Sequence, residues 1–171
     1  MGIYSFSVNI AGTLTLFIAT GFFAIISPKL IEAYKMGDME LYRLIQRRLY
    51  EGLLLDGLFG MLVLWAIFPV LVLAMDRPEL EENAHIFYIL SIGAYFNVLA
   101  MSSYYKLYIT HGDHYLLITM AVGAIINLSL NVIFIPYFEL LAATVASLIA
   151  YASVLALREY FSRSVVGLQV I

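Results

Sequence analysis

The side chains in this sequence that could do chemistry are few, and most sit in apolar surroundings. Asp56 stands near the start of the apolar run 53–75, where a carboxylate costs about 2.5–3.5 kcal/mol at a bilayer centre and less toward its edge. Gly52, Asp56 and Gly60 recur every fourth residue, so the acid shares one helix face with small residues. That face is expected to look inward and line a cavity, where a carboxylate can take up a proton or a sodium ion or meet sugar hydroxyls. The plainer alternative is an acid near the membrane edge, hydrated or paired with Arg48 or Lys106. Asn127 and Asn131 share a face with Gly123 by the same spacing. Their amides either tether packed helices, for about 0.6 kcal/mol each, or line a polar path. Ala142, Ala146 and Ala150 carry a small-residue stripe along the next segment, a pattern that lets two helix backbones approach closely. Tyr104, like Tyr95 and Tyr151, lies away from the span ends where most aromatic residues collect; such rings either stack on a sugar or pack in the core. His111, Asp113 and His114 have the chemical types of a zinc site or a general base. No third and fourth ligand lies nearby, however, and Asp113 reads as a helix cap. No catalytic residue, metal or cofactor is therefore assigned.

These residues must be held by long apolar helices. Of 171 residues, 63% are hydrophobic and 12% charged, and the mean hydropathy is +0.94, whereas a soluble domain is roughly half apolar and a quarter charged. The predicted fold is an all-α polytopic membrane helix bundle of about five transmembrane helices, with membrane lipids as its surroundings and no nucleic-acid partner. Cysteine is absent, which excludes disulfides and thiolate chemistry. Spans are predicted at 3–27, 53–75, 84–109, 115–135 and 140–157, with interfacial helical extensions at 28–36 and 38–52. Gly37 and Asp38 read as a C′ residue and an N-cap, and Gly112 with Asp113 repeats the device. Pro69 marks an expected kink, Pro78 an N1 position, and Pro136 the end of the fourth span. Lys29, Lys35, Arg43, Arg47, Arg48, Lys106, Arg158 and Arg163 then fall on one side and only Arg77 on the other. The positive-inside rule places the N-terminus outside and the 158–171 tail in the cytoplasm. An exported N-terminus without a charged tail leads to the expectation that a preceding span is missing from this chain.

Three stretches, "GIYSFSVNIAG", "SPKLIEAYKMGD" and "NLSLNVIFIPYFELLAATVASLIAYASVLAL", occur in an order and spacing that resembles the polysaccharide flippases of the multidrug/oligosaccharidyl-lipid/polysaccharide exporter superfamily. The likeness covers about residues 2–157 and corresponds to the last five helices of the C-terminal half. It departs where the family often has glycines, at Glu139 and Ala142. The resemblance implies one partial lobe of a two-lobed carrier in the bacterial or archaeal plasma (inner) membrane. Such a carrier moves a lipid-linked oligosaccharide, an O-antigen, capsule or exopolysaccharide repeat unit, by alternating access. It further implies a complementary N-terminal lobe or a second copy as partner. Under that reading Asp56, Asn127, Asn131 and Tyr104 are the cavity or substrate-path candidates. Lys29, Arg47 and Arg48 are candidates for attracting the lipid pyrophosphate headgroup, each charge being worth about 1 kcal/mol near an anionic surface, with topology alone as the simpler explanation. A drug or lipid exporter of the same superfamily and a small non-catalytic membrane interaction protein, joined to a partner through the Ala142–Ala150 face, are the alternative functions.

Overall fold

In the computed structural model, which describes residues 2–168, every long element is helical and no strand occurs among the described residues. Helix α1 (Ile3–Phe17) passes through a π-helical stretch (Ile18–Phe23) into α2 (Ala24–Lys35), making one rod of 33 residues. Helix α3 (Met39–Met75) follows, then the short α4 (Pro78–Glu82), α5 (Ala84–Ile109) and α6 (Asp113–Leu168). Four of these units, Ile3–Lys35, Met39–Met75, Ala84–Ile109 and Asp113–Ser164, are long and apolar enough to cross a membrane. The last is two helices in one. Glu139 has φ 48° and ψ −123°, and there the chain folds back on itself. Its two arms, 113–138 and 140–168, run antiparallel: Tyr115 stacks on Phe161 at 4.7 Å, and the Asn127 amide reaches the Ser147 hydroxyl at 3.3 Å. Each arm exceeds the about 20 residues that one crossing needs, so the bundle has five membrane-length segments.

The joints follow from local chemistry. Gly37 adopts φ 72°, a left-handed value that costs glycine little, and the Asp38 carboxylate accepts from the Leu41 amide at 2.9 Å. Pro78 occupies the first turn of α4. The second expected Gly-Asp joint is built differently: His111 takes the left-handed position at φ 57°, the Gly112 amide donates to the Leu107 carbonyl at 2.8 Å, and Asp113 is already helical. One proline behaves differently from its sequence reading. Pro28, Pro69 and Pro136 all lie inside helices, so the fourth segment does not stop at Pro136. It continues to residue 138 and reverses at Glu139. The interfacial extensions at 28–36 and 38–52 continue the spans beside them without a break. Within the 158–171 tail, the helix runs on to Leu168, and residues 169–171 lie outside the described residues.

The core gathers α1, α2, α3 and α5. Leu14, Ile18, Phe23, Leu30, Leu49, Leu53 and Val98 form one buried cluster, and Phe23 stacks on Tyr105 at 4.8 Å. Toward the other end Phe68 lies flat on Phe87, ring centres 4.0 Å apart. Because successive segments are antiparallel, Lys35, Arg43, Lys106 and Arg163 gather at one end of the bundle, while Asp76, Arg77, Glu79 and Glu139 gather at the other. These are the basic and the acidic end of the bundle.

Candidate functional site

A polar seam runs along the contact between the two arms of α6 and reaches α1. On the second arm, the Ser147 hydroxyl donates to the Ala143 carbonyl at 2.9 Å. With its proton so committed, its oxygen accepts from the Tyr4 hydroxyl at 3.0 Å and the Asn127 amide at 3.3 Å. Asn131 Nδ2 donates to Asn127 Oδ1 at 2.9 Å, which leaves Asn131 Oδ1 buried with no partner. Close packing brings the arms near enough for these contacts. A Cβ placed on Gly123 would lie 2.5 Å from Val154 and 3.8 Å from the Ala150 carbonyl oxygen. Ala142, Ala146 and Ala150 are buried beneath the same contact.

The seam opens into a cleft of about 380 Å³ whose polar lining includes Asn97, Asn127, Ser147, Tyr151 and Arg158. Asn97, on α5, makes no side-chain hydrogen bond among the described residues. Arg158 ends the cleft on the side of the basic end. It is only 7% exposed, its guanidinium lies 5.3 Å over the Tyr104 ring, and its Nε is buried without a hydrogen-bond partner. No ion pair involving it occurs among the described residues. A buried cation held by one aromatic face has unused donors, which suit a carboxylate or phosphate oxygen. The amides, hydroxyl and tyrosine beyond it are the groups that hydrogen-bond and stack on a sugar.

Of the candidates, Asn127 lines the cleft, Asn131 is bonded to it, Tyr104 lies under the Arg158 guanidinium, and Asp56 lies apart. Asp56 is exposed and lines a separate groove of about 780 Å³ between α3 and the rod, otherwise walled by Leu14, Phe17, Ile18, Phe22, Phe59 and their apolar neighbours. The small residues beside it do face inward: Phe22 sits where a Gly52 Cβ would be, and Leu14 where a Gly60 Cβ would be. Asp56 and Gly60 line the same groove, and the acid is exposed in it. Its anticipated partners are also elsewhere, since the ion pairs among the described residues are Arg47–Glu51 and Arg163–Glu159. The π-helical stretch borders this groove, and such stretches recur at functional positions in helices.

Arg47 is tied to Glu51 at 2.8 Å, while Lys29 and Arg48 are exposed. Among the histidines, the His114 ring lies 3.8 Å from the Tyr115 ring, and no cluster of three metal-ligating side chains exists among the described residues. Tyr95 packs against Gly57 and donates to the Leu54 carbonyl at 3.1 Å. Sequence reasoning passed over Asn97 and Ser147 and counted Arg158 only toward sidedness. The signal for Ser147 was present: once the chain reverses near 138, Asn127 and Ser147 fall opposite each other. No family model matches the chain, and neither a curated protein nor a solved structure matches it.

Proposed function

We propose that this chain is one lobe of a membrane transporter that flips a lipid-linked oligosaccharide across the plasma membrane, with the α5–α6 cleft forming part of the solute path. The observation that carries this reading is the cleft itself: amides, a hydroxyl and a tyrosine run along membrane-length helices to a buried arginine with an unpartnered donor. Polar groups at that depth are expensive, and they persist where they meet each other or a solute. Here Ser147, Asn127 and Asn131 meet each other, whereas Asn97 and Arg158 line the cleft with no hydrogen-bond partner among the described residues. The guanidinium would receive the anionic linkage and the neutral groups the sugar. The chain moves its cargo without covalent chemistry, and the sequence resemblance to polysaccharide flippases supports the same cargo class.

The test is a vesicle assay. The chain, co-expressed with a candidate complementary lobe, is reconstituted with a fluorescent polyprenyl-pyrophosphate disaccharide, and the fraction protected from an impermeant quencher is followed over time. Translocation should occur and should fall at least about tenfold in Arg158→Gln, the size of one lost charge-assisted contact, while Lys29→Gln stays near the parent. Equal translocation of a fluorescent phosphatidylcholine would favour a lipid exporter instead. No translocation of either, together with a stable complex with an unrelated membrane protein, would favour an interaction module.

A further inference from the structure

The basic end of the bundle holds a second cavity, separate from the cleft. A basin of about 460 Å³ lies between the start of α3, the last turns of α5 and the second arm of α6. Four cationic side chains reach it: Arg43 and Arg47 from α3, Lys106 from α5 and Arg163 from α6. Its frame is cross-braced. Gln46 Nε2 donates to the Ser102 carbonyl at 3.2 Å and to the Ser102 hydroxyl at 3.0 Å, and the Ser103 hydroxyl donates to the Glu159 carboxylate. Glu51 holds Arg47 and Glu159 holds Arg163. Arg43 and Lys106 form no ion pair among the described residues, so the lining keeps an excess of positive charge. Two polar atoms in that lining, Tyr42 Oη and Gln46 Oε1, are buried with no hydrogen-bond partner.

Lys29, Arg43 and Arg48 are all exposed, but of the three only Arg43 lines the basin, and sidedness alone explains the other two. It does not explain why Arg43 and Lys106, from different helices, converge on one cavity beside an unused tyrosine hydroxyl. We propose that the basin binds the phosphate group of an anionic molecule, either a phospholipid headgroup or a soluble phosphate. Arg43 offers a planar fork, Lys106 a compact point charge and Tyr42 a neutral donor, a combination suited to phosphate oxygens. Neighbouring residues of one helix serve the two cavities, since Arg158 lines the cleft and Glu159 the basin. An anion in the basin would bind α3, α5 and α6 together at that end, whatever the bundle transports.

The test uses the purified full chain in nanodiscs. In discs of phosphatidylcholine, inorganic phosphate is titrated by calorimetry; in discs containing phosphatidylglycerol, retained anionic lipid is counted by native mass spectrometry. Saturable binding of one anion per chain in either arm supports the site, the arm identifying its source. The double variant Arg43→Gln/Lys106→Gln should weaken binding at least about tenfold, whereas Lys29→Gln/Arg48→Gln, which removes the same charge outside the basin, should leave it within about twofold. Equal weakening in both double variants, or no saturable binding by the parent chain in either arm, would overturn the proposal. If the first double variant is unstable, Lys106→Arg and Arg43→Lys keep the charge, and both should retain binding.

Discussion

The seam between the arms of α6 and the groove between α3 and the rod handle polar groups on apolar helices in opposite ways. In the seam, Tyr4, Asn127, Asn131 and Ser147 bond one another, with only Asn131 Oδ1 left over, and a glycine and three alanines draw the backbones together around them. In the groove one carboxylate, Asp56, faces an apolar wall with no cation beside it. A mutually bonded amide chain is compatible with lipid on its outer side, because little hydrogen-bonding capacity is left over. An unpaired carboxylate is not, because its charge must be hydrated, neutralised or covered. The seam is thus a self-contained element of the bundle, and the groove is a face that depends on its surroundings.

Substitutions should separate the two regions. The largest effect is expected at Gly123, where the Cβ of Gly123→Ala collides with a short branched side chain held between the arms; unfolding in mixed micelles should show a loss of about 2–3 kcal/mol. The matching change in the groove wall, Gly52→Ala, meets the tip of the Phe22 ring, which can swing toward open space, so a change within about 0.5 kcal/mol is expected. Equal losses at both positions would erase the contrast. Next in size, Asp56→Leu should stabilise the isolated chain by up to about 2 kcal/mol in the same measurement, since no ion pair is broken; a loss would reveal a partner for the carboxylate. At the reversal between the arms, Glu139→Gly should gain about 1 kcal/mol by relieving a φ that a side chain resists, read as a higher unfolding midpoint. Smallest of all, Asn131→Leu should cost about 0.6 kcal/mol, because only one amide bond ends there and its carbonyl oxygen is already unpartnered.

Much of the scaffold was legible in the sequence. Hydrophobic run lengths located the segments, and Gly37 with Asp38 marked a joint through chemistry that acts within four residues. What the sequence concealed depends on distant contacts. Nothing local makes Glu139 take a positive φ; the reversal there depends on the packing of the two arms. Proline invited a break at Pro136, but a helix among neighbours can tolerate a missing amide, so the turn slipped onward. The π-helical stretch left no readable sign beyond Gly21 and the hydroxyls of Thr20 and Ser27, which back-bond to the Leu16 and Phe23 carbonyls. For the site, four-residue spacing found Asn127 and Asn131 but not Asn97 or Ser147, which join them from other segments. Arg158 was hidden by its position just past the apolar run 140–157, where arginine is normally exposed. Spacing put Asp56 on one face with two glycines, yet it could not reveal that the acid is exposed in an otherwise apolar groove.

Because the chain has no cysteine, water in the cleft can be tested directly. Single cysteines replace Asn97, Tyr151 and, as an outward-facing reference, Leu128, which is 65% exposed on the apolar side of the first arm. Each variant is reconstituted in vesicles and treated with a membrane-impermeant, positively charged thiol reagent. A water-filled solute path requires Asn97→Cys and Tyr151→Cys to react at least about tenfold faster than Leu128→Cys, since only a thiol in contact with water ionises and meets a charged reagent. Reaction at none of the three positions, with full labelling after the vesicles are dissolved in detergent, would contradict the cleft as a solute path and leave the seam as an interhelical tether.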